Sequence, residues 1–343
     1  MDVTILYVSY SYLVIIHIPF HPRHSRMSNE NDDQSLPYIP EEDLKSESQT
    51  QSGFIKEIKS KRIPGTSEMA DLAFNEYTDR NGDLSPNDIK HNFNDLLKEL
   101  ISIETEIYNN KEEEVVRNLM QDFIEEYYSQ NDIEEYENTQ KLLDQIKTLY
   151  EDSDDFESFF SESYFRLNPL IGPIYYSFSQ GRKTRVGDSL ENHVEKLLTE
   201  MNYPVDSQIQ LDGSRIDLVL PNEETFYNDP SDAVFLPCQT TLKDRYRLSL
   251  SKLPSGEKYE PVSKFITTAT GINLVTDEDE NDITQDKIED TVSHGYRFLA
   301  FDAVKERFPD NDGIVSYSQF AQNILPEKSD SWNVVEQGTI SES

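Results

Sequence analysis

This chain has little of what usually staples or punctuates a fold. Cys238 is its only cysteine, which excludes an intrachain disulfide and a cysteine-rich zinc site. The thiol ends the apolar run AVFLPC, where it reads as a buried strand cysteine rather than a reactive one. Between Asn87 and Asn168 there is neither glycine nor proline, so no local signal interrupts a helix there. Cationic side chains are scarce: 31 Lys and Arg stand against 66 Asp and Glu, a net charge of −35. A surface of that sign opposes approach to a polyanion. Long apolar runs are also missing, except for ILYVSYSYLVIIHIPF near the start. That run is short for a membrane span, follows Asp2 rather than a basic segment, and precedes no small-residue cleavage site. The reading is a cytoplasmic protein with no membrane partner.

What is present divides the chain into five parts. Residues 1–26 read as a hydrophobic segment or translated upstream sequence, because Met27 opens MSNENDDQS, a polar start suited to an acidic soluble protein. Residues 27–60 are polar and rich in Ser and Gln, which predicts disorder. Residues 61–164 form an acidic, mostly helical region. Its apolar stripes, such as Phe93, Leu96, Leu97, Leu100 and Ile101, recur at helical spacing and read as packing faces.

From residue 165 to 326 the texture is α/β. A helix is expected over 189–201. SQIQL and RIDLVL flank a DGS turn and predict a hairpin, with AVFLPCQ as a third strand. KFITTAT and YRFLAFD supply two more strands around the acidic helical stretch 281–293. Residues 327–343 read as a flexible tail. Two strings resemble calcium loops but lack the required residues. DRNGDLSPND has Leu84 and Lys90 at the glycine and glutamate positions, and DNDGIVSYSQF lacks the first aspartate and has Gln319 where glutamate is needed. Both read as turns, with Ser85-Pro86 as a helix start.

Chemistry concentrates between Asp217 and Arg247. Asp217 lies between Ile216 and Leu218 in an apolar strand, where an unpaired carboxylate is costly to bury. The plain alternative puts it on the solvent face of an alternating strand. Gln239 closes the next strand, and Lys243, Asp244, Arg245 and Arg247 follow at once. An acid for a divalent cation, a neighbouring strand and nearby cations suit phosphodiester hydrolysis.

Three segments in order, GRKTRVGDSLENHVEKLL (181–198), RIDLVLP (215–221) and QTTLKDRYR (239–247), resemble the C-terminal catalytic domain of EcoRII-type restriction endonucleases and the related SsoII and PspGI groups. The resemblance implies a PD-(D/E)XK fold, a mixed sheet flanked by helices. It implies Mg²⁺-dependent cleavage of double-stranded DNA at a CC/GG-flanked site. It also implies a homodimer and a cognate DNA methyltransferase protecting the host. Carried onto this sequence, Asp217 and Glu191 become metal ligands. Gln239, Lys243 and Lys252 become catalytic candidates, and Arg182, Lys183, Arg185, Arg245 and Arg247 DNA contacts.

Two departures matter. Gln239 stands where the family carries lysine, and Lys252 where it carries glutamate, which suggests a cation moved to the following helix or a decayed site. Glu191 also ends Asp188-Ser-Leu-Glu191, the spacing of a capping box. The acidic charge is reconciled with a DNA partner if the protein works at halophilic salt, where repulsion is screened within a few ångströms. Two other readings stay open: an inactive relative that only binds DNA, and an acidic interaction protein.

Overall fold

The computed structural model describes residues 2–9, 12–19, 39, 59–129, 137–153, 155–211, 214–239, 242, 246–250, 257–270 and 282–332. They fall into two compact units, Met1–Arg62 with Glu114–Gln180, and Ile63–Glu113 with Gly181–Ser343. The expected boundary near residue 165 is not where the units divide. Helical residues 63–113 belong with the α/β part, because their apolar stripe is buried in its core.

In the first unit, β1 (Asp2–Ser9) and β2 (Tyr12–Pro19) form a separate antiparallel ribbon, with Asp2 opposite Pro19 and Ser9 opposite Tyr12. Helix α3 (Glu137–Asp152) carries Gln145, which accepts a 2.9 Å hydrogen bond from Arg166. The expected disorder over 27–60 lies almost wholly outside the described residues.

The second unit opens with α1 (Thr66–Asn81) and the first half of α2 (Pro86–Ser129). Ser85 and Asp88 cap α2 reciprocally: the Asp88 N–H donates to Ser85 Oγ at 3.2 Å, and the Ser85 N–H donates to Asp88 Oδ2 at 3.0 Å. The DRNGDLSPND string is therefore a helix end, a turn and a helix start.

Helix α4 (Phe156–Glu200) is continuous, so the helix expected over 189–201 is only its last part. Pro169, Pro173 and the polar GRKTRVGDS segment lie inside it. The breaker signals do not end the helix here, and its last part is anchored in the core by Leu190, Val194, Leu197 and Leu198. The capping-box reading of Asp188 to Glu191 is thereby corrected: both sit mid-helix, where backbone N–H groups already have partners four residues back. The helix ends at Asn202, whose φ of 64° is left-handed. The Tyr203 N–H closes onto Leu198 O at 3.0 Å and the Asn202 N–H onto Thr199 O at 2.9 Å.

The strands follow as β3 (Asp206–Leu211), β4 (Ser214–Leu220), β5 (Val234–Leu236), β6 (Cys238–Gln239), β7 (Ser263–Thr268), β8 (Tyr296–Ala300) and β9 (Ile314–Ser316). They make one mixed sheet in the order β3-β4-β5-β7-β8-β9, with β6 beside β7. β3, β4 and β5 pair antiparallel, and the remaining pairs are parallel. The expected run AVFLPCQ is split by Pro237, which has no N–H for the ladder. Pro237 O still accepts from Thr267 N at 2.8 Å. Cys238 is half-buried rather than fully buried, a correction to the sequence reading.

Each face of the sheet has its own core. Leu218, Leu220, Val234, Leu236 and Phe265 pack with α1, α2 and the end of α4. Ile216, Val219, Phe235, Ile266 and Phe298 pack with α5 (Glu223–Asn228), α6 (Tyr246–Leu250) and α7 (Gln285–Ser293) on the other face. DNDGIVSYSQF becomes a turn, β9 and a capping box between Ser316 and Gln319. The start of the expected tail is ordered instead. Trp332 is buried, donates Nε1–H to Asp232 O at 2.8 Å, and meets the Tyr203 ring edge-on. Residues 333–343 lie outside the described residues.

Candidate active site

Strand β4 presents Asp217 half-buried, with Oδ2 accepting a 2.8 Å hydrogen bond from the Cys238 backbone N–H. That bond ties the carboxylate to β6, the strand that ends in Gln239. The side-chain alternation of β4 breaks at this point. Ile216 and Val219 share one core although they are three residues apart, while Leu218 and Leu220 share the other. A regular strand cannot do this, because its side chains alternate with period two. The break lies at Asp217.

Helix α4 supplies Glu191, which is 7% exposed. Burial raises its pKa to about 8, and the negative charges of Asp217, Asp188 and Glu195 push the same way, against Arg215. Asp188, one turn earlier, is also raised, first by desolvation, with Asp217 and Glu104 adding to it against Arg215 and Arg185. The fold thus brings together Glu191 and Asp217, two acids 26 residues apart in sequence.

Sequence reasoning missed Gln208 and Arg215 as members of this cluster. The Gln208 amide donates to Glu191 Oε1 and accepts from Arg215 Nε. Only the parity of Arg215 with Asp217 on β4 hinted at this. Nothing in the sequence marked Gln208. His193 is fully buried, with Nε2 2.6 Å from Glu104 Oε2. Ser189 Oγ–H donates to the same oxygen at 2.5 Å.

The basic candidates are dispersed. Arg182 is exposed and paired with Glu112. Arg185 donates from Nη2 to Pro64 O at 2.8 Å and lies 4.7 Å from the Tyr108 ring centroid, a cation–π contact. Arg247, at the start of α6 (Tyr246–Leu250), is exposed and 3.7 Å from Asp290 Oδ2. The Lys183 side chain and residues Lys243, Arg245 and Lys252 lie outside the described residues.

Among the described residues no group of three or more His, Cys, Asp or Glu side chains is placed to hold a metal ion. Glu191 and Asp217 are nonetheless two hard oxygen donors whose mutual repulsion a divalent cation would relieve. The pair fits part of a Mg²⁺ site, completed by water or phosphate oxygens, as is usual for that ion.

A mixed sheet between two helical layers, with one acid in the middle of β4 and another on α4, matches restriction-endonuclease folds. The chain is similar to Ecl18kI in the structure "Metal-depleted Ecl18kI in complex with uncleaved, modified DNA", with a TM-score of 0.64, 13% identity, and 89% of this chain and 88% of that one covered. A second Ecl18kI structure, metal-depleted with uncleaved DNA, gives a TM-score of 0.61 at 14% identity, covering 88% of each chain. A "Restriction endonuclease PspGI-substrate DNA complex" gives 0.48 at 16% identity, over 78% of this chain and 94% of that one. Residues 171–254 match the family model described as EcoRII C terminal, so the resemblance read from the sequence stands over the stretch that holds Glu191, Asp217 and Gln239. No curated protein matches the chain.

Proposed function

We propose that the protein is a type II restriction endonuclease that hydrolyses double-stranded DNA with Mg²⁺, at a CC/GG-flanked site. The observation that carries the reading is the convergence of Glu191 from α4 and Asp217 from β4 inside the segment that matches the EcoRII C-terminal model. In this reading both carboxylates hold the cation, which supplies Lewis acidity toward the scissile phosphate. Asp217 is held by the Cys238 N–H, which ties its carboxylate to the strand that ends in Gln239.

Gln239, on the strand beside Asp217, can orient a water by hydrogen bonding but carries no charge. The charge on the phosphate is then met by Lys243 or Lys252. Arg182, Lys183, Arg185, Arg245 and Arg247 are the DNA-contact candidates, and at molar salt base contacts and shape carry most of the affinity. A homodimer cuts both strands of a symmetrical site, and a cognate methyltransferase protects the host. The cytoplasm of a salt-loaded cell is the setting that the charge suits.

One observation favours a second reading, a DNA-binding relative without cleavage: Gln239 replaces the family lysine. Digestion of plasmid DNA in molar KCl with and without Mg²⁺ separates them. Discrete Mg²⁺-dependent fragments support the endonuclease. Intact DNA with retained sequence-selective binding supports the inactive relative.

A further inference from the structure

Gln208 sits in the middle of β3 with φ at 55°, a left-handed conformation that residues with a Cβ seldom adopt. The hairpin ladder pairs Ser207 with Leu218 and Ile209 with Ile216, and steps over Gln208 and Asp217 between them. The backbone irregularity therefore faces the candidate catalytic aspartate. Backbone strain of this kind persists only where its surroundings hold it, and it concentrates at functional sites.

The side chain shows what the irregularity achieves. Arg215 Nε–H donates to Gln208 Oε1, and Gln208 Nε2–H donates to Glu191 Oε1. A guanidinium can only donate, so it selects the amide oxygen and turns the amide N–H toward the carboxylate. The orientation of the amide is thereby set chemically. Glu191 is buried on a helix and Arg215 is exposed on the neighbouring strand, so Gln208 links the inside of the site to its edge.

We propose that Gln208 is a positioning residue for the metal site. It holds Glu191 Oε1 and leaves Oε2 as the oxygen available to a cation shared with Asp217. This inference rests on the nuclease reading above. A purely structural role, bridging a strand to a helix, would have no reason to change metal affinity.

The test uses the full chain and two variants. Gln208→Gly removes the amide while relieving the left-handed backbone, so it separates the side chain's role from fold stability. Gln208→Asn keeps a residue tolerant of that backbone but is one methylene too short to span Glu191 and Arg215. Thermal melts across a Mg²⁺ series are compared with cleavage across the same series. Expected for both variants is a metal-free melting temperature near wild type, with half-saturating Mg²⁺ raised about 10-fold in both assays, the low end for residues that orient a metal ligand. Wild-type Mg²⁺ dependence in either folded variant overturns the proposal, as does a loss of metal-free stability with unchanged half-saturation. A wild-type protein with neither a Mg²⁺-dependent melting shift nor cleavage sinks the nuclease reading itself, and the role of Gln208 falls with it.

Discussion

The Asp217 carboxylate on β4 and the Cys238 backbone N–H on β6 are joined by a 2.8 Å hydrogen bond. The bond places the acid by main-chain geometry rather than by a mobile side chain. It also fixes where Gln239, the next residue of β6, begins.

Asp217→Asn keeps the shape and an acceptor for the Cys238 N–H but removes the charge. Cleavage is expected to fall by more than about 100-fold, the upper end for a residue that only supports a ligand. The fold should be unaffected. Single-turnover cleavage together with circular dichroism checks both halves, and a variant that still cuts at the wild-type rate would place the site elsewhere.

Glu191 predicts a pH signature in stability. Its folded pKa is raised from 4.5 to about 8, so the native state holds the proton more tightly than the unfolded chain does. Its favourable contribution is complete below pH 4.5 and is lost as pH rises to about 8. Glu191→Gln should flatten the decline in that window. Urea unfolding at several pH values without metal makes the comparison, and parallel slopes for variant and wild type would refute it.

Arg182 and Arg185 should separate in experiment. Arg185 is half-buried against Pro64 O and the Tyr108 ring, so Arg185→Ala is expected to cost about 1–3 kcal/mol in stability. Arg182 is exposed, so Arg182→Ala should leave stability within about 0.5 kcal/mol. If Arg182 touches phosphate, its loss reduces the salt dependence of DNA binding by about one unit of slope. Equal effects of the two changes on stability would contradict this division.

Trp332→Ala should destabilise the second unit by about 3 kcal/mol, since it removes a buried ring and its hydrogen bond to Asp232 O. Chemical denaturation measures it directly. A change below about 0.5 kcal/mol would mean that this end of the chain adds nothing to the core.

If the family lysine has moved, Lys252→Ala abolishes cleavage and Gln239→Lys restores it in the same chain. If Lys252 is only a surface residue, its loss leaves the rate unchanged. Cleavage rates of the two single variants and the double variant decide it.

Much of the sheet was legible because strand chemistry is local. The SQIQL and RIDLVL hairpin, the strands KFITTAT and YRFLAFD, and the helix in 281–293 all stand where alternation and turn residues put them. Asp217 stood out for a local reason too, a charge among apolar neighbours. The three ordered segments of the EcoRII resemblance identified the family match. The basic cluster and Lys252 stay as the sequence left them, outside the described residues.

Tertiary structure decided the rest, because it depends on contacts distant in sequence. Pro169 and Pro173 lie inside α4, against their local preference, so the helix runs well upstream of the apolar stripe that predicted its last part. The stripe of Phe93, Leu96, Leu97 and Leu100 announced a buried face, but only packing showed that it covers the α/β sheet. Trp332 is ordered by Asp232 and Tyr203, more than a hundred positions away in the second case. The spacing of Asp188 and Glu191 allowed a cap beside the metal-ligand role that the resemblance implied, and the fold sets Glu191 mid-helix near Asp217. Gln208 carried no signal, because a left-handed backbone opposite Asp217 exists only once β3 and β4 have paired. Sequence alone determined which residues favour strand, helix or burial. The assembled sheet decided which charges meet, because repulsion and hydrogen bonding act through space rather than along the chain.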